Sequence, residues 1–196
     1  MAIDLRLPAP APSPVCRSAA EFDEMRRLGL VDPTGAPRVY VPPRSASDVG
    51  RVDRFPIEAH NVLNEAYAYA RPSSFSRGLR VDLGTRNLLL ISGTASIDEN
   101  GNSVHVGDFR AQLWRTYLNI TNLLESEGAS WQDVVRTSCY LRDIERDYRD
   151  FNEVRTAFFT WLGLDPLPAS TGIQARLCRE ELLVEIEAMA VVPAGR

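Results

Sequence analysis

From residue 73 onward, short apolar strand patterns alternate with two long amphipathic helix patterns, and this order constrains the fold more than any other feature. One helix pattern follows Asp108 and the other covers residues 148–162. In both, apolar side chains recur every three or four positions and form a single face. The strand patterns occupy residues 79–83, 88–91, 134–141, 171–177 and 182–192. The order β-β-α-β-α-β-β predicts an α+β fold in which two long helices pack on one face of a single sheet.

The two most apolar strand patterns, residues 88–90 and 134–141, are poorly suited to a sheet with one side in water. A sheet face that carries apolar side chains has to be covered, and two helices on one side leave the other side open. Association with further copies of the chain is the simplest cover. The sequence therefore predicts a homo-oligomer.

Residues 1–72 precede the clear strand and helix patterns and are interpreted as an N-terminal extension. Eight of the 13 prolines lie within its first 43 positions. Residues 1–17 are typical of an extended arm. A helix capped by Ser18 is predicted to reach residue 30, and a second short helix is predicted over residues 57–69. The apolar side chains after the arm are too numerous for a solvated linker, so we expect that part to be folded.

Composition excludes several classes of function. The chain has no lysine, so it cannot form a lysine Schiff base. Its net charge of −4 does not provide the positive surface that nucleic acids require. His60 and His105 lie far apart and the cysteines (Cys16, Cys139, Cys178) lack zinc spacing, so no metal and no cofactor are predicted. No apolar run approaches 18 residues and the cysteines are scattered, so we expect a cytoplasmic protein without a membrane segment.

Several short motifs occur in a fixed order along the second part of the chain. They are Ile91-Ser92-Gly93-Thr94, Gly107-Asp108, Gln112, Asn119-Ile120, Gly128-Ala129-Ser130, Asp133-Val134-Val135, Asn152-Glu153-Val154, Phe158-Phe159, Pro168-Ala169 and Val184-Glu185-Ile186-Glu187-Ala188. None of these motifs is specific alone. In this order and with these spacings, residues 73–193 resemble the Rid family of reactive-intermediate deaminases, the YjgF-like proteins.

The resemblance implies a chorismate-mutase-like fold and a homotrimer with clefts at the subunit interfaces. It also implies cofactor-free hydrolysis of enamines and imines to a keto acid and ammonia. In typical members a glutamate on the last strand positions the attacking water. An arginine after the Pro-Ala pair, assisted by a serine and a tyrosine, binds the substrate carboxylate.

Carried over to this sequence, the resemblance assigns the catalytic glutamate to Glu185 and the serine to Ser92. Asn152 matches the asparagine that opens the second helix. Two positions depart from the pattern, because Ser170 stands where the anchoring arginine is expected and Phe75 stands where the tyrosine is expected. The usual bidentate clamp for a carboxylate is therefore missing.

Other side chains could replace that clamp. Arg77 and Arg176 are the candidates, although either could equally be a solvated arginine at a strand end. Cys178 could line the cleft or fill the core. The apolar neighbours of Glu185 place its carboxylate either on an exposed edge or in a cleft where desolvation raises its pKa, and general acid/base catalysis needs the cleft.

A second resemblance is to the C-terminal half of chorismatases, which hydrolyse the enol ether of chorismate. It rests on Ser74-Phe75-Ser76-Arg77, Ser92-Gly93-Thr94-Ala95-Ser96, Thr171-Gly172-Ile173, Arg176-Leu177-Cys178 and Glu185. The expected function is hydrolysis of a reactive enamine, imine or enol-type intermediate, with Glu185 as general acid/base. The substrate would be a small-molecule carboxylate such as a 2-aminomuconate-like or chorismate-like acid. The alternative is a non-catalytic trimer that binds a small carboxylate. A ribonuclease role, described for some family members, is disfavoured by the acidic composition.

Overall fold

The computed structural model describes residues 18–38, 52–70 and 72–194. The predicted proline-rich arm lies outside these ranges. The chain divides into two compact units, with the boundary at residue 50.

The first unit contains, in its described part, the helix α1 (Ala19–Arg27). Ser18 is the N-cap, as predicted, because its side chain accepts a hydrogen bond from the backbone N–H of Glu21 at 3.1 Å. The helix buries none of its own residues, and Leu28 directly after it is 75% exposed. No candidate site residue lies in this unit.

The second unit is built on one six-stranded sheet with the spatial order β1-β2-β3-β6-β4-β5. Its strands are β1 (Arg54–Pro56), β2 (Gly78–Asp82), β3 (Arg86–Ala95), β4 (Val134–Leu141), β5 (Ala169–Gln174) and β6 (Val184–Pro193). The strands β4 and β5 run parallel, and the other neighbouring pairs are antiparallel. The five predicted strands are confirmed with bounds shifted by a few residues. The edge strand β1 was not predicted, because three residues are too few to produce a periodic pattern.

Two long helices, α2 (Phe109–Glu125) and α3 (Ile144–Leu162), contribute to the core on one side of the sheet. Asp108 caps α2 by accepting the backbone N–H three residues further on, at 3.0 Å. The helix α3 begins four residues before its predicted start, because Asp143 caps it in the same way. One sheet with two long helices on one face confirms the predicted α+β, chorismate-mutase-like fold class.

Burial alternates along β6 and separates the two faces of the sheet. The core-facing side chains, all at most 2% exposed, are Val184, Ile186, Ala188, Ala190 and Val192. Between them, Glu185, Glu187 and Met189 are half-buried on the opposite face, and Val191 is 39% exposed. We call this second side, which is turned away from α2 and α3, the open face. One strand therefore supplies both the core and the open face.

The predicted helix over residues 57–69 is wrong. Only Ala66–Ala68 forms a short 3-10 turn, and the residues before it follow an irregular path. Polar side chains make tertiary bonds there that compete with a helix: the Asn64 side chain donates to a carbonyl of the loop after β3 at 2.7 Å. The apolar spacing reflects burial instead, since Ile57 and Leu63 are 0% and 1% exposed.

The burial of Ile57 and Leu63 also shows how far the second unit extends. Both belong to the same core cluster as the helices and the sheet. The resemblance begins at residue 73, whereas the compact unit already begins at residue 51.

Candidate active site

Five of the eight candidate site residues line one cavity of about 390 Å³. They are Phe75, Arg77, Ser92, Cys178 and Glu185. Glu185 lies near the start of β6 and Ser92 lies on β3, and these two strands are neighbours in the sheet. Phe75 and Arg77 precede β2, which pairs with the other side of β3. The sheet order thus brings together side chains that are distant in sequence.

The carboxylate of Glu185 lies directly against the backbone of Gly93. A Cβ atom at position 93 would lie 2.0 Å from Oε1 and 2.9 Å from the carboxyl carbon of Glu185. The pairing of β3 with β6 shifts register between Ile91 and Thr94, so the strand is irregular at this point. Gly93 does not have a positive φ. The glycine is therefore required by the approach of the carboxylate and not by the backbone conformation.

The cavity raises the pKa of Glu185 above the ordinary carboxyl value. The main cause is desolvation, the neighbouring charge of Glu187 adds to it, and the guanidinium of Arg77 opposes it. Glu187 lines the same cavity, and its carboxylate accepts a hydrogen bond from the Tyr140 hydroxyl at 3.0 Å. A carboxyl group with a raised pKa can both take up and release a proton closer to neutral pH, as general acid/base catalysis requires.

Arg77 places a buried guanidinium group in this cavity. The residue is 5% exposed, and its guanidinium carbon lies 5.2 Å from the ring centre of Tyr69 and 5.3 Å from that of Phe75. Its Nε donates to the backbone carbonyl of Asn64 at 3.1 Å. Among the described residues, Arg77 has no ion pair within 4 Å. A buried cation without an ion-pair partner is suited to an anionic ligand.

Ser92 and Cys178 offer weaker contacts. The Ser92 hydroxyl donates to the backbone carbonyl of Ser76 at 2.7 Å, so its oxygen remains able to accept a hydrogen bond from a ligand. Cys178 is an exposed free thiol at the cavity wall. Among the described residues, neither group forms a hydrogen bond to a side chain that could act as its base.

The other three candidates do not line this cavity. Ser170 lies on β5 and accepts a hydrogen bond from Arg155 Nη1 at 3.3 Å. Asn152 lies in the middle of α3 and not at its start, and its side-chain oxygen accepts a hydrogen bond from Arg155 Nη2. Arg176 is exposed, whereas Arg179, three residues further on, lines the Glu185 cavity. Sequence reasoning missed Arg179 and Tyr69, since neither belongs to a motif.

Two further properties concern the described residues alone. No group of three or more His, Cys, Asp or Glu side chains is arranged to hold a metal ion there. Within the same ranges, no helix is both long enough and apolar enough to cross a membrane.

Comparison with known proteins identifies relatives of this chain. A family model described as endoribonuclease L-PSP matches residues 68–192. The chain is similar to the 3-aminoacrylate deaminase RutC of Acinetobacter baylyi, with 34% identity over 106 residues that cover 54% of this chain and 80% of the relative. It is also similar to a RutC family protein of Pyrococcus abyssi, with 32% identity over 104 residues that cover 53% of this chain and 78% of the relative.

The fold comparison agrees with the sequence comparison. The crystal structure of the YjgF gene product of E. coli matches with a TM-score of 0.57 and 25% identity, covering 70% of this chain and 98% of that structure. The matched core is therefore nearly the whole of the smaller protein. The remainder of this chain has no counterpart in that protein.

Proposed function

The chain belongs to the endoribonuclease L-PSP family of YjgF/Rid proteins, and from this membership we propose that it hydrolyses a reactive enamine, imine or enol-type carboxylate with Glu185 as general acid/base. The observation that carries the proposal is the position of the Glu185 carboxylate. It lies against Gly93, in a cavity that raises its pKa. The guanidinium of Arg77, which has no ion-pair partner among the described residues, lines the same cavity. These are an acid/base and an anion-binding group in one place.

The proposed reaction begins with attack of water on the imine carbon. The Glu185 carboxylate takes a proton from this water as the C–O bond forms, and the electron pair of the C=N bond moves to nitrogen. The carboxylic acid then returns the proton to nitrogen, which gives a neutral carbinolamine. Glu185 next transfers the proton of the carbinolamine hydroxyl group to the amino nitrogen, so that the C–N bond breaks, ammonia leaves with the electron pair of that bond, and the oxygen lone pair forms the C=O bond. An enamine enters the same route after the carboxylic acid protonates its β-carbon. Each step uses one carboxyl group in two protonation states.

Arg77 is proposed to bind the substrate carboxylate. It would replace the anchoring arginine of the family, whose position is occupied by Ser170 in this chain. Its burial strengthens an interaction with an anion, since little water competes for the guanidinium. The cavity of about 390 Å³ has room for a carboxylate larger than a two- or three-carbon imine. A 2-aminomuconate-like or chorismate-like acid therefore fits the proposal.

A deaminase-type reaction is favoured over RNA cleavage, although the matching family model is named for an endoribonuclease. One relative at 34% identity is named a 3-aminoacrylate deaminase. The net charge of −4 is unfavourable for binding a polyanion.

We further propose a homotrimer in which the open face is covered by neighbouring copies. Large apolar side chains are exposed on the sheet, including Val135 at 49%, Ile173 at 44% and Val191 at 39%. Light scattering should give three times the chain mass of 21.8 kDa. A stable monomer at micromolar concentration would contradict this assembly.

The test of the catalytic proposal is Glu185→Gln, which keeps the size of the side chain and removes its ionisable group. We expect kcat to fall about 10²–10⁴-fold, because general acid/base catalysis contributes about that much, with a much smaller change in substrate binding. Unstable imines generated in situ, aminomuconate and chorismate would be screened by release of ammonia, ketone or pyruvate. Glu187→Gln makes the same chemical change two residues along the strand and is the matched control.

The outcomes separate three possibilities. A Glu185→Gln variant within about threefold of the wild type on an accepted substrate would exclude Glu185 as the acid/base. A larger loss in Glu187→Gln would transfer the role to Glu187. Carboxylate binding that is unchanged or tighter in Glu185→Gln, without turnover of any substrate by the wild type, would favour the non-catalytic carboxylate-binding protein.

A further inference from the structure

Residues that precede the family-matched region form hydrogen bonds with Arg77. The family model begins at residue 68, and Asn64 and Glu65 lie just before it. The backbone carbonyl of Asn64 accepts from Arg77 Nε at 3.1 Å. The carboxylate of Glu65 accepts from the backbone N–H of Arg77, with distances of 3.4 Å to Oε1 and 3.3 Å to Oε2. Two successive residues thus hold the side chain and the main chain of the same arginine.

The Glu65 carboxylate is buried, which is unusual for a charged group. It is 3% exposed, and burial raises its pKa, an effect that the N–H and the charge of Arg77 oppose. Glu58 and His60 also act on it, in opposite directions. Glu65 is not among the residues that line the cavity. A buried carboxylate that bonds to the residue next to the ligand is suited to positioning that residue.

The same segment also fixes the ring beside the guanidinium. The Tyr69 hydroxyl accepts a hydrogen bond from the backbone N–H of Asn64 at 3.1 Å, and the Tyr69 ring lies 5.2 Å from the guanidinium carbon of Arg77. The backbone path of residues 64–69 therefore determines both the contact of the Asn64 carbonyl with Arg77 and the position of the Tyr69 ring.

We propose that Glu65 is a positioning residue which, by accepting the backbone N–H of Arg77, holds the Arg77 guanidinium beside Glu185 in the cavity. The expected effect of Glu65 on turnover rests on the proposed function. The position of Arg77 has a second consequence that does not require turnover, because the guanidinium lowers the pKa of Glu185. Displacement of Arg77 should therefore raise the pKa of Glu185. Glu65 is not among the groups that act directly on Glu185, which are Glu187 and Arg77.

Two conservative variants distinguish an effect of the length of the Glu65 side chain from an effect of its negative charge. Glu65→Gln keeps the length of the side chain and one acceptor oxygen but removes the charge. Glu65→Asp keeps the charge but is one methylene shorter, so it cannot reach the Arg77 N–H from the same backbone position. If Glu65 acts by reach, Glu65→Gln should resemble the wild type, and Glu65→Asp should raise KM about tenfold and raise the pKa of Glu185. Glu58→Asp makes the same shortening at an exposed glutamate and is the matched control.

The pKa of Glu185 would be measured by ¹³C NMR of carboxyl-labelled glutamate, with the Glu185 signal assigned by its loss in Glu185→Gln. Arg77→Gln supplies the reference for a missing guanidinium, and the double variant Glu65→Asp/Arg77→Gln should show no further shift. Binding of propionate, a small monocarboxylate, would be followed in the same samples and should weaken in Glu65→Asp and Arg77→Gln alike.

Each result decides the role of Glu65. An unchanged Glu185 pKa in Glu65→Asp, with a raised pKa in Arg77→Gln, would reduce Glu65 to a structural residue. A wild-type response in Glu65→Asp together with a raised pKa in Glu65→Gln would also overturn positioning by reach. If no substrate is turned over but the pKa and propionate responses appear as expected, the proposed function fails and the positioning role stands.

Discussion

Gly93→Ala tests how closely the catalytic proposal depends on the position of one carboxylate. The new Cβ would lie 2.0 Å from Glu185 Oε1, whereas ordinary contact begins at about 3.4 Å, so the oxygen has to move by roughly 1.4 Å. The carboxylate is the end of a flexible side chain, and Gly93 does not have a positive φ, so the fold can accept the alanine. A displacement of about 1 Å at a reacting group costs on the order of 10²-fold in rate. We expect a loss of about that size in kcat with little change in Tm.

The assay is steady-state kinetics on an accepted substrate together with thermal unfolding of the same preparations. Gly172→Ala is the matched control, because its new Cβ would meet only the Tyr148 ring at 4.0 Å. Glu185→Gln and Gly93→Ala should not be additive when combined, since both remove the same group from the site. A Gly93→Ala variant with wild-type kcat and wild-type Tm would refute the placement of the reacting carboxylate beside Gly93.

Two further predictions concern stability. The raised pKa of Glu185 means that the folded state binds its proton more tightly than the unfolded state, so this group costs stability as the pH rises from its usual value near 4.5 through the raised value. Glu185→Gln should therefore raise Tm at neutral pH, and this difference should shrink below about pH 4.5; a difference that grows in acid would contradict the sign of the shift. Removal of residues 1–50 should leave the second unit folded. Removal of residues 1–72 also removes the buried side chains Ile57 and Leu63, so it should lower the free energy of unfolding in urea by at least about 4 kcal/mol. Equal midpoints for the two truncations would show that the segment adds nothing to the core.

The sequence predicted those parts of the fold that are set by local pattern. Apolar periodicity located both long helices, and the acidic cap at Asp108 gave the correct start of α2. The start of α3 was placed too late, because its first turn is polar and only the cap at Asp143 marks it. Residues 57–69 were misread, since apolar side chains can reach a core from an irregular path as well as from a helix.

Site residues that belong to a motif could be predicted from the sequence. Where several arginines were candidates, the sequence could not show which of them lines the cavity. Glu185 and Ser92 lie in recognisable strands, and the sheet brings them together. Of the two candidate arginines, only Arg77 enters the cavity, and Arg179 enters it unpredicted. Spacing along the chain could not separate them, because burial of a guanidinium depends on rings and carbonyls contributed by other loops, such as Tyr69 in this structure.

The alternation along β6 ties the chemistry to the register of a single strand. Side chains on a strand change face at every residue, so a one-residue slip of β6 against its neighbouring strands would turn both carboxylates into the helix-packed core and bring aliphatic side chains to the cavity. Such a change would bury two charges and remove the acid/base in one step. Evolution of this strand is therefore confined to substitutions, and variation in length has to be accommodated in the loops that flank it.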